Sequence, residues 1–174
     1  FVNNNDGDDF KNGIRNYVNL ERTIDSMLYT WYIYAEDNIS KNILWVTYDG
    51  VHWFSSMYDM DATWGLVWDG KSFSNSSATF KYAFNGNKLW SKIFNNYKAE
   101  IIARYVQLRD SVLSYENVEL NFTDFTNKIP EILFNSEKEK WQEIPSQETN
   151  NLSQILLFAR DRNVALDKFM ENLK

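Results

Sequence analysis

Apolar side chains recur at helical spacing along much of this 174-residue chain. In the first such stretch they lie three or four positions apart, which places them on one face of an amphipathic helix. The residues that share this face are Leu20, Ile24, Met27, Leu28, Trp31 and Ala35. Asn19 is a favourable N-cap, and Glu21 follows in the first turn, where the helix dipole favours a negative charge. We therefore predict a helix that begins after Asn19 and leads to Asp37.

The second half of the chain also has helical patterns. Residues 66–86, which contain Gly, Ser and Asn, predict irregular or short-stranded structure. From Asn87 onward everything predicts helix: Pro130 starts or kinks one segment, and a last helix runs near Thr149 to Leu173. The apolar patches before that last helix are Leu89, Trp90, Ile93 and Phe94, then Ile101, Tyr105, Leu108 and Val112, then Phe125, Ile129, Ile132 and Leu133.

A strand pattern interrupts these helices once. Residues 43–48 (ILWVTY) and 51–58 (VHWFSSMY) are rich in β-branched and aromatic side chains, and Asp49 and Gly50 lie between them. A two-residue Asp-Gly loop is one of the strongest hairpin signals in a sequence. We therefore predict an α+β fold, mostly helical, with one β-hairpin embedded among the helices.

The predicted hairpin brings oxygen-bearing side chains together. Pairing across a two-residue loop places Asn42 opposite Met57, so Asn42 shares a face with Asp59 and Asp61 if the strand direction continues. Diagonal neighbours in a sheet have Cβ atoms about 7–8 Å apart, and the reach of the side chains lets an amide and a carboxylate share one Mg²⁺. The sequence predicts Asn42, Asp59 and Asp61 as metal ligands and leaves open which aspartate is the main one.

Asp37 adds a carboxylate in the polar loop EDNISKN, five residues before Asn42. A loop carboxylate near a metal can accept a hydroxyl proton or bind the metal directly. Together with hard oxygen ligands, it forms the set of groups that phosphoryl transfer requires. Two further residues are candidates for cofactor binding. Lys41 either steers a phosphate or is simply solvated, and Trp64, like Trp68, either stacks on a nucleobase or packs under the loop.

These residues carry a family resemblance. The segment from Tyr34 to Asn42 (YAEDNISKN), followed by ILWVTYDGVHWFSSMYDMDATWG, resembles the catalytic loop and metal motif of the spore coat protein H (CotH) kinase family. In that family an Asp, four residues and an Asn precede a strand pair, and an Asp-x-Asp and a Gly follow. The late helix with ARDRNVALDKF is also similar.

The resemblance implies an atypical protein-kinase fold that transfers phosphoryl groups from ATP with a divalent metal, Mg²⁺ or Mn²⁺. It implies that Asp37 is the catalytic carboxylate, Asn42 a metal ligand, and either Asp59 or Asp61 the metal-binding aspartate. A protein substrate is the partner that such an activity implies.

The chain departs from a complete kinase before its first long helix. It contains no glycine-rich phosphate loop and no early strand lysine, and it starts with Phe rather than Met. We therefore expect residues 1–18 to be an N-terminal loop or linker, and residues 19–174 to be a helical, kinase-like C-terminal lobe cut from a longer protein. Its natural partner would be the missing N-terminal part of that parent. Such a lobe alone should bind ATP weakly or not at all.

Charge and composition exclude several other functions. The formal charge of −6 and the lack of a Lys/Arg run disfavour nucleic-acid binding. No apolar run reaches the roughly 18 residues of a membrane span. The absence of Cys excludes thiolate nucleophiles and Cys-type zinc sites, and the single His, His52, excludes a two-imidazole site.

An alternative function uses the aromatic residues, which make up 17% of the chain. They could serve a non-catalytic structural or carbohydrate-binding module of a phage tail or bacterial surface protein, since CotH-like proteins also occur in such assemblies. A glycosidase is disfavoured because Asp59 and Asp61 lie too close in sequence to flank a sugar ring. The compartment stays open between bacterial cytoplasm, spore coat and a phage or cell-surface particle.

Overall fold

A computed structural model describes residues 1–66, 86–142 and 152–174, and in these ranges the chain is mostly helical. Helices α1 (Gly7–Gly13) and α2 (Leu20–Ile33) precede an antiparallel hairpin of β1 (Ile43–Val46) and β2 (Phe54–Met57). The later helices are α3 (Lys88–Asn96), α4 (Lys98–Arg109), α5 (Tyr115–Thr126), α6 (Glu131–Lys140) and α7 (Ser153–Glu171). This confirms the predicted mostly helical α+β fold with an embedded hairpin.

Helix α2 lies at the centre of the packing, against β2, α4 and α7. It begins as predicted, because the Asn19 side chain accepts a 3.1 Å hydrogen bond from the Arg22 amide and caps the helix. Its apolar face is fully buried at Met27 and almost fully at Trp31. The helix ends where Tyr34 adopts the left-handed conformation, with φ of 59°. The chain then turns into the loop that carries Asp37.

The hairpin forms, but its register differs by one residue from the prediction. Ile43 pairs with Met57, and the Tyr58 amide donates a 3.1 Å hydrogen bond to the carbonyl of Asn42. Asn42 therefore lies opposite Tyr58 rather than Met57. A one-residue shift moves every side chain to the other face, so the predicted same-face relation between Asn42 and Asp59 does not follow from the sheet.

Side chains in the turn explain the shift. The Thr47 hydroxyl accepts hydrogen bonds from the amides of Asp49 and Gly50, at 3.3 and 2.9 Å. The Asp49 carboxylate accepts from the amides of Val51 and His52, at 2.8 and 2.7 Å. These bonds replace the strand pairing that a two-residue Asp-Gly turn requires. The predicted two-residue loop is thus wrong, and a longer, side-chain-capped loop closes the hairpin.

The N-terminal segment contains two short helical elements. Residues 7–13 form α1, and a 3-10 turn follows at Ile14–Asn16. Phe10 and Ile14 are fully buried in the main hydrophobic core, so these residues pack against the rest of the chain. The division of the chain between residues 1–18 and 19–174 stays a prediction.

The later helices follow the sequence pattern with one exception. Asn87 caps α3 through a 3.1 Å bond from the Trp90 amide, and Pro130 directly precedes α6. The third apolar patch lies in α5, α6 and the turn between them, and it is largely exposed, with Phe125 65% and Ile132 73% exposed. The irregular segment predicted at 66–86 and the start of the last predicted helix fall mainly outside the described residues.

Candidate functional site

The loop between α2 and β1 is held in a tight conformation. Ala35 is buried, and a 3-10 turn spans Asp37–Ile39. The amides of Tyr34 and Ala35 both bond to the carbonyl of Thr30, which turns the chain sharply off the helix end. Asp37 begins the 3-10 turn with its side chain 39% exposed. A carboxylate in this position is fixed by its backbone but accessible to a ligand.

Asn38 fastens this loop to the hairpin. Its side chain is only 2% exposed. Its Nδ2 donates to the carbonyl of Asn42 at 2.7 Å and to that of Tyr58 at 2.8 Å. Both acceptors lie just beyond the strand ends, so one amide ties the Asp37 loop to both arms of the hairpin. The sequence analysis missed Asn38, although an Asn next to a candidate carboxylate in a short polar loop is the available signal.

Asn42 and Asp59 are in contact beyond the end of the hairpin. The Asn42 Nδ2 lies 3.4 Å from both the carbonyl oxygen and the Oδ2 of Asp59. Asp59 has φ of 54°, in the left-handed region, and so leaves the strand direction. This turn brings its carboxylate back towards Asn42 despite the shifted register. The predicted proximity is present, but the predicted cause, strand alternation, was wrong.

Asp37 and Lys41 form a second contacting pair, with Lys41 Nζ 3.2 Å from Asp37 Oδ1. The Lys41 side chain is 71% exposed, so it contributes little to stability and is free to contact a ligand. Asp61 is exposed and makes no hydrogen bond or ion pair with the described residues. The structure therefore brings together two pairs, Asn42 with Asp59 and Asp37 with Lys41, and leaves Asp61 outside both.

Trp64 packs beneath the site. Its ring meets those of Tyr32 and Phe122 edge to face, with centroids 5.8 and 4.9 Å apart. Its amide donates to the carbonyl of Ile33 at the end of α2. These contacts are of the packing type that the sequence left as an alternative, and a role in cofactor binding stays a prediction. Trp68 lies outside the described residues.

Backbone strain concentrates around these residues. In the described parts of the chain, the non-glycine residues with positive φ are Tyr34, Asp59 and Trp64. Bulky residues rarely adopt this conformation, and such strain clusters at functional sites. Tyr34 opens the Asp37 loop, Asp59 contacts Asn42, and Trp64 closes the segment that follows. The strained positions thus surround the candidate site.

The family model for CotH kinase proteins matches residues 1–166 of the chain. The chain belongs to the CotH kinase family. The match includes the Asp37 loop, the hairpin and most of α7. No curated protein matches the chain. Family membership makes the protein kinase-like, and it implies ATP and a divalent metal in general terms.

The CotH kinase site contains oxygen-bearing side chains of the kind that such a metal binds. Mg²⁺ prefers hard oxygen ligands and often takes one or two carboxylates, with water and phosphate in its other positions. Asn42 and Asp59 offer an amide oxygen and a carboxylate, and in the structure the Asn42 Nδ2 makes the contact between them. The amide would have to turn its Oδ1 towards a metal ion. Among the described residues, no three His, Cys, Asp or Glu side chains group closely enough to hold a metal. Phosphate and water would therefore have to supply much of the coordination.

The hairpin tip of the CotH kinase has its own polar cluster. The Asp49 Oδ2 lies 2.5 Å from Nδ1 of His52. The His52 ring and the backbone amides of His52 and Val51 hold the pKa of Asp49 well below its ordinary value. His52 thus stabilises the turn, which is a structural role.

Among the helices of the described residues, none has both the length and the apolar character of a membrane span.

Proposed function

We propose that this CotH kinase transfers a phosphoryl group from ATP to a protein hydroxyl, with a divalent metal ion held at Asn42 and Asp59. The contact between these two side chains, directly beside the Asp37 loop, is the observation that carries the proposal. When bound, the metal ion would neutralise negative charge on the phosphates. The hydrogen bond from Asn38 to the Asn42 carbonyl links these two proposed metal ligands to the loop that carries Asp37.

Asp37 is the proposed catalytic carboxylate. Its position at the start of a 3-10 turn leaves it accessible, and the bond to Lys41 orients one of its oxygens. In this role it would orient the acceptor hydroxyl and take its proton. Lys41 is exposed enough to swing towards a phosphate oxygen. Such a movement would release Asp37 when nucleotide binds.

Asp59 is the proposed main metal ligand of the two aspartates. It contacts Asn42 directly, whereas Asp61 makes no such contact. Its left-handed backbone, which Asp adopts more readily than most residues, turns the carboxylate towards the amide. Asp61 is close enough in sequence to serve as a further ligand through a bound water.

We propose that the described residues form the C-terminal lobe of the kinase. Support comes from the sequence, which contains no glycine-rich loop or strand lysine to cover ATP phosphates. The remaining part of the kinase would then be its partner. ATP binding by this chain alone would be weak, while metal affinity would persist at Asn42 and Asp59.

Calorimetric titration of the full-length protein with Mn²⁺, with and without ATP, tests the proposal. Asp59→Asn and Asp37→Asn are the test variants, and Asp124→Asn, exposed on α5, is the matched control. We expect Asp59→Asn to lose metal binding, Asp37→Asn to retain metal but lose phosphorylation, and the control to behave as wild type. Metal binding that is absent from the wild type, or untouched by Asp59→Asn and by Asp61→Asn, would refute the proposal.

A carbohydrate-binding role is the second candidate, favoured by exposed aromatic rings on the hairpin. Tyr48 is 87% and Tyr58 61% exposed, and such rings can stack on sugars. A glycan array distinguishes the two functions. Binding that is lost in Tyr48→Ala, in a protein without ATP turnover, would favour this alternative over the kinase.

A further inference from the structure

The end of α2 presents carbonyl groups that need hydrogen-bond partners. The last four carbonyls of any α-helix have none within the helix. In α2, the carbonyl of Thr30 accepts from the amides of Tyr34 and Ala35, and that of Ile33 accepts from the Trp64 amide. Local backbone therefore satisfies part of this helix end. The carbonyl of Trp31 has a different partner.

Arg162 of α7 supplies that partner from 131 residues away in sequence. Its Nε donates to the Trp31 carbonyl at 2.7 Å, and its Nη2 donates to the same oxygen. The guanidinium also lies 5.7 Å from the ring of Tyr34, the residue that ends α2. The last turn of α2 has no basic residue of its own. A positive charge at this end is favourable because it opposes the helix dipole.

Two more residues on the same face of α7 support the other side of the site. Gln154, Phe158 and Arg162 are four positions apart, which aligns them along one helix face. The Gln154 Nε2 donates to the carbonyl of Trp64 at 2.9 Å. Phe158 packs so closely on Gly65 that an added Cβ would lie 2.6 Å from its ring. One face of α7 thus supports both the start of the Asp37 loop and the segment after the aspartates.

Arg162 has no access to a solvent-borne ligand. It is 1% exposed, and the cavity beside it, lined by Thr30, Tyr34 and Glu36 among others, has a volume of about 10 Å³. That volume holds at most one water and no phosphate. Burial lowers the pKa of Arg162 to about 10, so it remains protonated at neutral pH. Its hydrogen bonds point to a role in positioning rather than in ligand binding.

We infer that Arg162 is a positioning residue that caps α2 from α7 and thereby sets the placement of Asp37 and Asn42. The expected effect of Arg162 on catalysis rests on the proposed function, whereas its expected effect on the conformation of the loop does not. A charged group buried at this depth is costly compared with an apolar one. Its replacement should therefore harm the geometry of the loop more than the stability of the whole protein.

Hydrogen exchange and steady-state kinetics of the full-length protein test this inference. The variants are Arg162→Met, Arg162→Lys and, as a matched control on the same helix, Arg160→Met, whose side chain is 65% exposed. We expect Arg162→Met to speed amide exchange in residues 34–42 by at least about tenfold, as for the loss of a charged hydrogen bond. We expect kcat to fall by roughly 10- to 100-fold with KM for ATP unchanged, because a misplaced base slows chemistry. Arg162→Lys should recover part of both effects.

Equal exchange in residues 34–42 for Arg162→Met and Arg160→Met would overturn the inference, as would a loss of kcat that simply follows a loss of folded protein. If Arg162→Met does not fold, the comparison of Arg162→Lys with Arg160→Lys decides by the same two measurements. A wild-type protein without metal binding or turnover would refute the proposed function alone. The exchange result would still show whether Arg162 holds the loop.

Discussion

The Asn38 side chain donates a 2.7 Å hydrogen bond to the main-chain carbonyl of Asn42. Because Asn38 directly follows Asp37, this bond fixes the position of Asp37, the proposed base, relative to Asn42, one of the proposed metal ligands. The same Nδ2 reaches the carbonyl of Tyr58, next to Asp59. A single buried amide thus relates the three segments that carry the candidate site.

Asn38→Ala should therefore destabilise the protein and loosen the site. The change removes the Asn38 donor from the Tyr58 carbonyl and one of two donors from the Asn42 carbonyl, which keeps the Tyr58 amide. We expect a loss of about 1–3 kcal/mol in the free energy of unfolding. Urea denaturation measures this loss. Asn121→Ala is the control, since the exposed Asn121 makes only a local bond to the carbonyl of Asn117. Comparable losses in the two variants would contradict the role given to Asn38.

Variants of Asp59 can separate its backbone role from its carboxylate role. Its φ of 54° suits Gly and Asn but strains Ala. We expect Asp59→Gly and Asp59→Asn to fold with near wild-type stability, and Asp59→Ala to lose about 1 kcal/mol. All three should lose Mn²⁺ affinity in calorimetry. Retention of affinity by the Gly variant would remove the carboxylate from the metal site.

The sequence predicted the helices well because their signals are local. Periodic apolar residues and the caps Asn19 and Asn87 are sufficient to define α2 and α3. The exposure of the third patch could not be predicted, because periodicity identifies an apolar face and not what covers it. Phe125 has that periodicity yet is 65% exposed.

The sequence predicted candidate residues for the site but not how they are arranged. The Asp49-Gly50 signal predicted a two-residue turn, whereas the side chains of Thr47 and Asp49 accept hydrogen bonds from the turn amides and the loop is longer. Those side-chain bonds, like the left-handed φ of Asp59, depend on tertiary context that spacing does not encode. The bond from Arg162 to the Trp31 carbonyl could not be predicted, because the two residues lie 131 positions apart.

The Tyr105–Asp167 bond predicts a pH dependence of stability in alkaline solution. The Tyr105 hydroxyl donates to Asp167 at 2.6 Å, and burial together with this carboxylate raises the pKa of Tyr105 far above its ordinary value of 10. The unfolded chain then releases this proton at lower pH than the folded one. The contribution of Tyr105 to stability is therefore complete below pH 10 and is lost progressively as the pH rises above it.

Tyr105→Phe tests this dependence. At pH 7 we expect the variant to lose about 1 kcal/mol, because the Asp167 carboxylate loses one donor and keeps Arg109. Above pH 10 the difference between wild type and variant should shrink, since only the wild type has this tyrosine to ionise on unfolding. Urea denaturation at pH 7, 9 and 10.5 measures both effects. Parallel pH profiles would show that the hydroxyl of Tyr105 is not held protonated by the fold.

Lys92 anchors the N-terminal segment to α3. Its ammonium donates to the carbonyl of Val2 at 2.7 Å, to that of Asn5, and to the Asp6 carboxylate at 2.6 Å. The side chain is only 12% exposed. The hydrogen bond from Lys92 holds the pKa of Asp6 below its ordinary value. All three donors of the ammonium therefore have acceptors in residues 2–6.

Lys92→Met keeps the apolar stem of this side chain but removes its donors. We expect a loss of about 2–4 kcal/mol in urea denaturation and faster amide exchange in residues 1–10, because two main-chain carbonyls lose a charged partner. Asp6→Asn should lose clearly less than Lys92→Met, since the Asp6 side chain is 84% exposed. Lys88→Met, an exposed neighbour on the same helix, controls for charge alone. If Asp6→Asn proves as harmful as Lys92→Met, the ion pair rather than the carbonyl contacts holds this segment in place.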